Sequence, residues 1–428
     1  MIRILFLILT VAALGGCASF GRGVTEAVLD AQARESVDRR NCAVEGEAFT
    51  GIVPKLEKQR SYGPLGDGNR PVTKLLYVHG IGDHQPGHGG RLIRSLSSTL
   101  ALTVRAESFK RIELVPKSGP ERPMGELNIV RMVDVDRERE LLFFELTWSP
   151  ITEPEKQAIM FDSSEIYSSQ RAGINQSFRN FSNSVLPDPL AFAGNRGADI
   201  RDAVGEAMCW TVSATWDGLP DLTQGQRCDE SPTLGSRVAL DELVIATHSL
   251  GSRATMDALQ DAAQVTRDKD AAKLRLARAL QQESITVFML SNQLPLLESG
   301  QDTQAVTGQH DQFCGPDAPR TDERFLKQLD LIAVTDPNDI LSFPVPANWV
   351  NQYLDSRLCT RVRNVTINIA HVRSLPVVGQ FADPLTAHSG YVDDERVAEL
   401  MANGIGHANT SALVRERCTW TEVDPALN

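Results

Sequence analysis

The stretch Leu243-Val-Ile-Ala-Thr-His-Ser-Leu-Gly251 constrains the fold more than any other part of the chain. Leu243 to Ala246 is a short apolar run with β-branched members, the pattern of a strand buried on both faces. Thr-His-Ser-Leu-Gly follows without a spacer, and Ser252 to Gln260 then offers good helix formers and no breaker. A strand that turns straight into a helix belongs in a sheet with helices packed over it, an α/β arrangement. The turn explains its own residues. A serine on so sharp a bend projects its hydroxyl out of the sheet, and crowding demands small neighbours two places either side. Gly251 meets that need downstream, whereas Thr247 stands at the upstream place. The helix start just after Ser249 presents free N–H groups and a positive dipole end.

Other runs repeat the pattern. Lys74 to Val78, Ile285 to Leu290 and Leu329 to Val334 read as buried strands, and Val365 to Ile369 as a further one. Glu126 to Asp134 and Glu140 to Thr147 read as a hairpin or one long bent strand. Helices are expected over 91–105, after the serine turn, over 271–283 and over 394–401. Residues 150–240 carry amphipathic helix patterns and no strand pattern. Ile174, Phe178, Phe181 and Val185 share one face there, and Ile200, Val204, Ala207, Met208 and Val212 another. The expected architecture is therefore a mostly parallel central sheet with helices on both faces and a helical insertion at about 150–240.

The two ends of the chain read differently. Met1 to Arg3 is a short positive start, and Ile4 to Leu14 is almost wholly apolar but too short to span a bilayer. Leu14-Gly-Gly-Cys17 resembles a bacterial lipobox, so residues 1–17 read as a lipoprotein signal with Cys17 as the lipidated residue. Ala18-Ser19 lack the aspartate that retains such proteins at the inner membrane of enteric bacteria. The expected location is the cell envelope, anchored in the outer membrane and facing the periplasm. Residues 18–70 read as a tether and N-terminal extension, and 71–428 as the folded domain. Six further cysteines in an exported chain imply disulfides. Cys209 with Cys228, Cys314 with Cys359 and Cys42 with Cys418 are three pairs among the fifteen possible pairings. The net charge of −12 disfavours nucleic acid as a partner.

Parallel α/β sheets carry their sites beyond the carboxyl ends of strands, and four candidate sites fall there. His79-Gly-Ile-Gly82 follows the first buried strand, and its glycines let backbone approach a ligand. The N–H groups of Ile81 and Leu250 are the candidate donors for a developing oxyanion. Ser249 is the candidate nucleophile. Asp339 and Asp336 both follow the strand ending at Val334. Asp339 is the better candidate acid, because a turn must first carry the chain off the strand. His388 lies beyond the last strand and is the candidate base. His371 follows its strand too closely, and His248 abuts the serine and points elsewhere. His79, Asp83, His84 and His88 hold metal-ligand residue types, but Pro86 and Gly87 forbid a helix between the last two, so no metal is expected.

The order Ser249, Asp339, His388, with His79-Gly-Ile upstream, resembles the α/β-hydrolase superfamily over roughly residues 72–150 and 240–402. Thr247 in place of glycine is the one departure inside a motif. The resemblance implies a sheet of eight strands with one antiparallel edge, and hydrolysis of an ester, amide or thioester through an acyl-enzyme, with no cofactor. Carboxylic esters, including lipid acyl esters, are the expected substrates, and the membrane is a partner through Cys17. The same residues also serve an acyltransferase or a peptidase. The third reading is a non-catalytic envelope lipoprotein on a hydrolase scaffold.

Overall fold

The computed structural model describes residues 41–63, 65, 70–116, 124–164, 166, 169, 171–213, 215–220, 227–228, 237–264, 271–298, 304–346, 348–375 and 379–423. Cys17 and the signal and lipobox readings lie outside the described residues.

In chain order the strands are β1 (Cys42–Glu45), β2 (Thr73–Val78), β3 (Thr103–Leu114), β4 (Gly125–Val133), β5 (Glu140–Thr147), β6 (Glu242–His248), β7 (Ser284–Leu290), β8 (Gln328–Thr335), β9 (Thr360–Ile367), β10 (Arg373–Leu375), β11 (Gly379–Phe381) and β12 (Cys418–Thr421). Ten of them form one sheet in the order β12-β1-β9-β8-β7-β6-β2-β5-β4-β3. The six from β9 to β5 are mutually parallel. On one side β4 and β3 run antiparallel in turn. On the other β1 is antiparallel to β9 and carries β12 parallel to itself.

Burial on two faces explains the continuous apolar runs. On β6, Leu243 and Ile245 join one core while Val244 and Ala246 join the other. On β8, Leu329, Leu331 and Ala333 alternate in the same way with Ile332 and Val334. The second core is closed by helices α1 (Val53–Gln59), α2 (Gly90–Leu100) and α10 (Glu395–Asn403), through Leu56, Leu92, Leu96, Val397 and Leu400. The longer described helices between α2 and α10 are α3 (Glu153–Met160), α4 (Gly173–Val185), α5 (Pro187–Ala193), α6 (Gly197–Ser213), α7 (Leu250–Gln264), α8 (Ala271–Leu280) and α9 (Pro384–Ser389). The first core is closed by α6 and α7, through Ile200, Val204, Ala254 and Leu259.

Three expectations change. The sheet has ten strands rather than eight, because both termini add to it. Residues 18–70 are not a tether throughout: from Cys42 the chain supplies a sheet strand and then α1, with Leu56 fully buried. The helical stretch 150–240 is not wholly an insertion, since α6 is a layer of the main core. Its Ile200, Ala203, Val204 and Ala207 have no exposed surface, and burial of an aliphatic side chain contributes about 1.5–3 kcal/mol. The side chains of Ile174, Phe178 and Phe181 lie outside the described residues.

The segment 126–147 is a hairpin, β4 with β5. Strand β3 was not expected, because the helical pattern of 91–105 runs into it. Helix α2 ends at Leu100, and Ala101 takes a left-handed conformation with φ 52° where a glycine would have signalled the stop. As an edge strand, β3 buries only part of one face and so shows no apolar run.

The cysteines pair as Cys42–Cys418, Cys209–Cys228 and Cys314–Cys359. The first joins β1 to β12 across 376 residues of sequence. Thiol titration of the denatured, unreduced protein should therefore find no thiol among these six. Cutting any one bridge should cost about 2–5 kcal/mol of stability. Six titratable thiols would contradict this pairing.

Candidate active site

Strand β6 delivers Ser249 into a tight bend. Its φ is 54°, a left-handed conformation that a residue with a side chain adopts only under tertiary constraint. The Ser249 N–H donates to the Leu290 carbonyl at 2.9 Å, and the Ser249 carbonyl accepts from the Ser252 N–H and hydroxyl at 3.0 and 2.7 Å. Gly251 is required by packing. A methyl group there would lie 2.5 Å from the Val78 carbonyl oxygen and 2.6 Å from that of His79. Thr247 fits at the upstream place because it is still in the strand, opposite Val78 and Met289. It is fully buried, and its hydroxyl has no hydrogen-bond partner among the described residues.

Three candidates converge. The Ser249 Oγ lies 3.1 Å from His388 Nε2. On the far side of the ring, Nδ1 lies 2.9 and 3.0 Å from the two carboxylate oxygens of Asp339. Because a carboxylate only accepts, Nδ1 carries the proton and Nε2 is left to accept from the serine. Asp339 is buried and well supplied with donors: the Ser291 hydroxyl at 2.7 Å, the Tyr391 hydroxyl at 3.2 Å and the Leu341 N–H at 3.0 Å. Burial alone would raise its pKa. The hydrogen bond and charge of His388 and the hydrogen bond of Ser291 outweigh that and hold it below the usual carboxylate value.

Asp336 takes no part in this chain of contacts. Its carboxylate accepts from the Asn338 N–H at 2.7 Å and amide at 3.0 Å, and from the Ile369 and Ala370 N–H groups at 2.7 and 2.9 Å. It fastens the loop after β8 to the end of β9. Tyr391 links the two aspartates, accepting from the Asp336 N–H at 2.7 Å while donating to Asp339.

Sequence reasoning missed Ser291 and Tyr391. Ser291 sits one residue beyond β7, on the strand next to the serine's own, and its φ is also 54°. Its hydroxyl also lies 3.0 Å from His388 Nδ1. The only sequence signal was its position at a parallel strand's carboxyl end.

The loop after β2 lies directly over the serine. A methyl group at Gly80 would stand 2.5 Å from the Ser249 Cβ and 3.0 Å from its Oγ. That places Ile81, the next residue, beside the bend from which Leu250 opens α7. Among the described residues neither the Ile81 nor the Leu250 N–H has an acceptor. One sequence expectation fails here: Ser249 has no exposed surface, whereas an exposed hydroxyl was expected. The Gly80 peptide and the His388 ring cover it.

The loop is pinned from two sides. The Gly82 N–H donates to Asp188 of α5 at 2.6 Å, and Lys156 of α3 reaches the Gly82 carbonyl at 3.1 Å and Asp83 at 2.7 Å. So the helices of the 150–193 stretch brace this loop. Met208, by contrast, does not face the serine. It lines a cavity of about 750 Å³ between α6, α7, α8 and the sheet, beside the first residues of β6 and β7.

His79 is the second pin. Its Nε2 accepts from the Trp148 N–H at 3.0 Å, and its Nδ1 donates to the Gly80 carbonyl at 2.7 Å. Those partners require a neutral ring, and burial, then the neighbouring His84 and His88, push its pKa well below the usual value. Burial lowers His84 as well, and takes both His88 and His248 down to about 3. His248 donates from Nε2 to the His388 carbonyl at 2.8 Å, which fixes the backbone of His388 rather than its ring.

These histidines have a pH consequence. Their unfolded pKa is about 6.5, above every folded value, so the unfolded chain binds more protons as pH falls below that point. Stability present above pH 6.5 is lost progressively towards about pH 3, at about 1.4 kcal/mol per pH unit for each ring that stays neutral. The urea midpoint should drop clearly between pH 7 and pH 5. A midpoint that stayed level over that range would show that the rings titrate alike in both states.

A hydroxyl held against an imidazole, itself backed by a carboxylate, can pass its proton to the ring as its oxygen attacks an electrophilic carbon. N–H groups without acceptors beside the attacking atom can receive the negative charge that results. The chain matches no protein-family model, no curated protein and no solved structure.

Proposed function

We propose that this protein is a lipid-anchored serine hydrolase of the α/β-hydrolase type that cleaves carboxylic esters. The observation that carries the reading is the unbroken Ser249–His388–Asp339 chain at the carboxyl end of a parallel sheet, with the serine on a left-handed bend. Ser249 Oγ attacks the acyl carbon as its proton passes to His388 Nε2. Asp339 keeps the other ring nitrogen protonated and balances the charge on the ring. The Ile81 and Leu250 N–H groups take the oxyanion. The alkoxide leaves with the proton from His388, and water activated by the same ring releases the carboxylic acid and restores Ser249. The Gly80 peptide and the His388 ring must shift for an acyl group to reach the buried serine.

A fluorophosphonate probe, which reacts only with an activated serine, should label the wild-type protein at Ser249 and leave His388→Ala unlabelled. No labelling of the wild type would favour the non-catalytic reading. Acyl transfer or peptide cleavage would show as label at Ser249 without ester turnover. The Ser291 hydroxyl donates to the same carboxylate that orients the base, so Ser291→Ala should lower kcat on a soluble ester about tenfold or more and leave KM nearly unchanged. An unaltered kcat would make Ser291 a strand terminus only. The lipid anchor belongs to this proposal too, resting on Leu14-Gly-Gly-Cys17.

A further inference from the structure

Two features of the fold lie at the same end of the molecule as Ser249. The first is where the chain enters. Strand β1 runs antiparallel to β9, with Cys42 opposite Ile367, the last residue of β9. The Asn41 carbonyl accepts from the Asn368 N–H at 3.1 Å and from Arg396 at 3.2 Å. Because β9 is parallel to β6, the chain arriving from Cys17 joins the sheet at its carboxyl end, the end that carries the site. The 23 residues from Ala18 to Arg40 span at most about 80 Å. They hold the domain close to whatever anchors Cys17 without choosing which way it faces.

The second feature is apolar. Exposed large side chains come from three segments around the site. Phe161, Leu186 and Leu190 belong to the helical segments whose Lys156 and Asp188 brace the Gly80 loop. Ile340, 76% exposed, follows Asp339, while Val372 immediately precedes β10 and Phe381 ends β11, between β9 and the helix of His388. Scattered single apolar residues are ordinary, but six from three segments at the end that carries the site are more than scatter. The opposite end offers fewer: Val135 in the β4–β5 turn, with Tyr62 and Val104.

We propose that the end of the molecule bearing Ser249 lies against the lipid bilayer that holds Cys17, and that the site draws an acyl ester lipid from that bilayer. The substrate half of this inference rests on the hydrolase reading above. The orientation half rests only on the anchor and the fold. With a net charge of −12, the contact is apolar insertion into zwitterionic lipid rather than attraction to an anionic surface, so salt should not release it.

The lipidated full-length protein, reconstituted in phosphatidylcholine vesicles, tests both halves. In Ile340→Trp the new tryptophan should be quenched by lipids with brominated acyl chains far more than that of Val135→Trp, each measured against the parent. Equal quenching, or more at 135, would overturn the orientation. Leu190→Ser/Val372→Ser replaces exposed residues and should keep its rate on a short soluble ester. Its hydrolysis of vesicle phospholipid should fall about tenfold. Unchanged vesicle hydrolysis would overturn the lipid substrate. Absence of any Ser249-dependent hydrolysis would instead overturn the hydrolase reading, and the quenching would still decide the orientation.

Discussion

Ser249→Ala is expected to lower ester hydrolysis about 10⁴-fold or more while the protein still folds. Among the described residues the hydroxyl makes one side-chain hydrogen bond, with His388 Nε2 at 3.1 Å. Its loss removes that one bond and leaves the backbone bonds of the bend in place. Alanine also tolerates the φ of 54° as well as serine does, since both carry one Cβ. His388→Ala should cost about as much, because a hydroxyl without a base is a poor nucleophile near neutral pH. Asp339→Asn should cost less than either and still a large factor, because an amide facing Nδ1 permits the wrong tautomer. The double variant Ser249→Ala/His388→Ala should be little worse than the single ones, since residues acting as a unit are not additive. Steady-state rates on a soluble ester, with unfolding curves for each variant, decide the matter. A Ser249→Ala protein as active as the wild type would reduce the bend to a structural turn.

The second large effect is on stability and comes from the neighbouring aspartate. Asp336→Ala should lower the unfolding free energy by about 3–5 kcal/mol, because four hydrogen bonds to the carboxylate are lost and the Ala370 N–H stays buried without this acceptor. The same change frees the turn at Asn338, which the carboxylate also holds. Tyr391 should shift as the Asp336 N–H moves, and with it one donor to Asp339. Activity should therefore fall through misplacement of Asp339, by less than in Asp339→Asn. Denaturant unfolding of Asp336→Ala beside Asp339→Asn separates the two roles. Asp339→Asn should lose activity out of proportion to stability, and Asp336→Ala the reverse. If Asp336→Ala unfolded at the wild-type midpoint, its four accepted hydrogen bonds would be without structural consequence.

The sequence by itself determined the central sheet. A strand buried on both faces needs an unbroken apolar run, so Leu243 to Ala246, Ile285 to Leu290 and Leu329 to Val334 were legible without any fold. It also put forward Ser249, Asp339 and His388 as candidates, because in a parallel sheet functional side chains collect where strands end, and strand ends can be read from local pattern. Only the tertiary structure decided which groups meet. Asp336 and Asp339 share one turn, and their roles separate only when β9 brings Ile369 and Ala370 to one and α9 brings His388 to the other. Ser291 and Tyr391 carry no local mark, since a serine after a strand or a tyrosine after a helix acquires meaning from contacts remote in sequence. The edge strands β3 and β12 were hidden for a related reason: an edge buries little, so it needs no apolar run, and its pairing is set by β4 for the one and by β1 and Cys42–Cys418 for the other. Strand β1, between β12 and β9, was hidden because it is only four residues long and buries just Cys42 and Val44. Helix α6 showed its amphipathic face in sequence, but only packing decided that the face closes the main core instead of shaping the site.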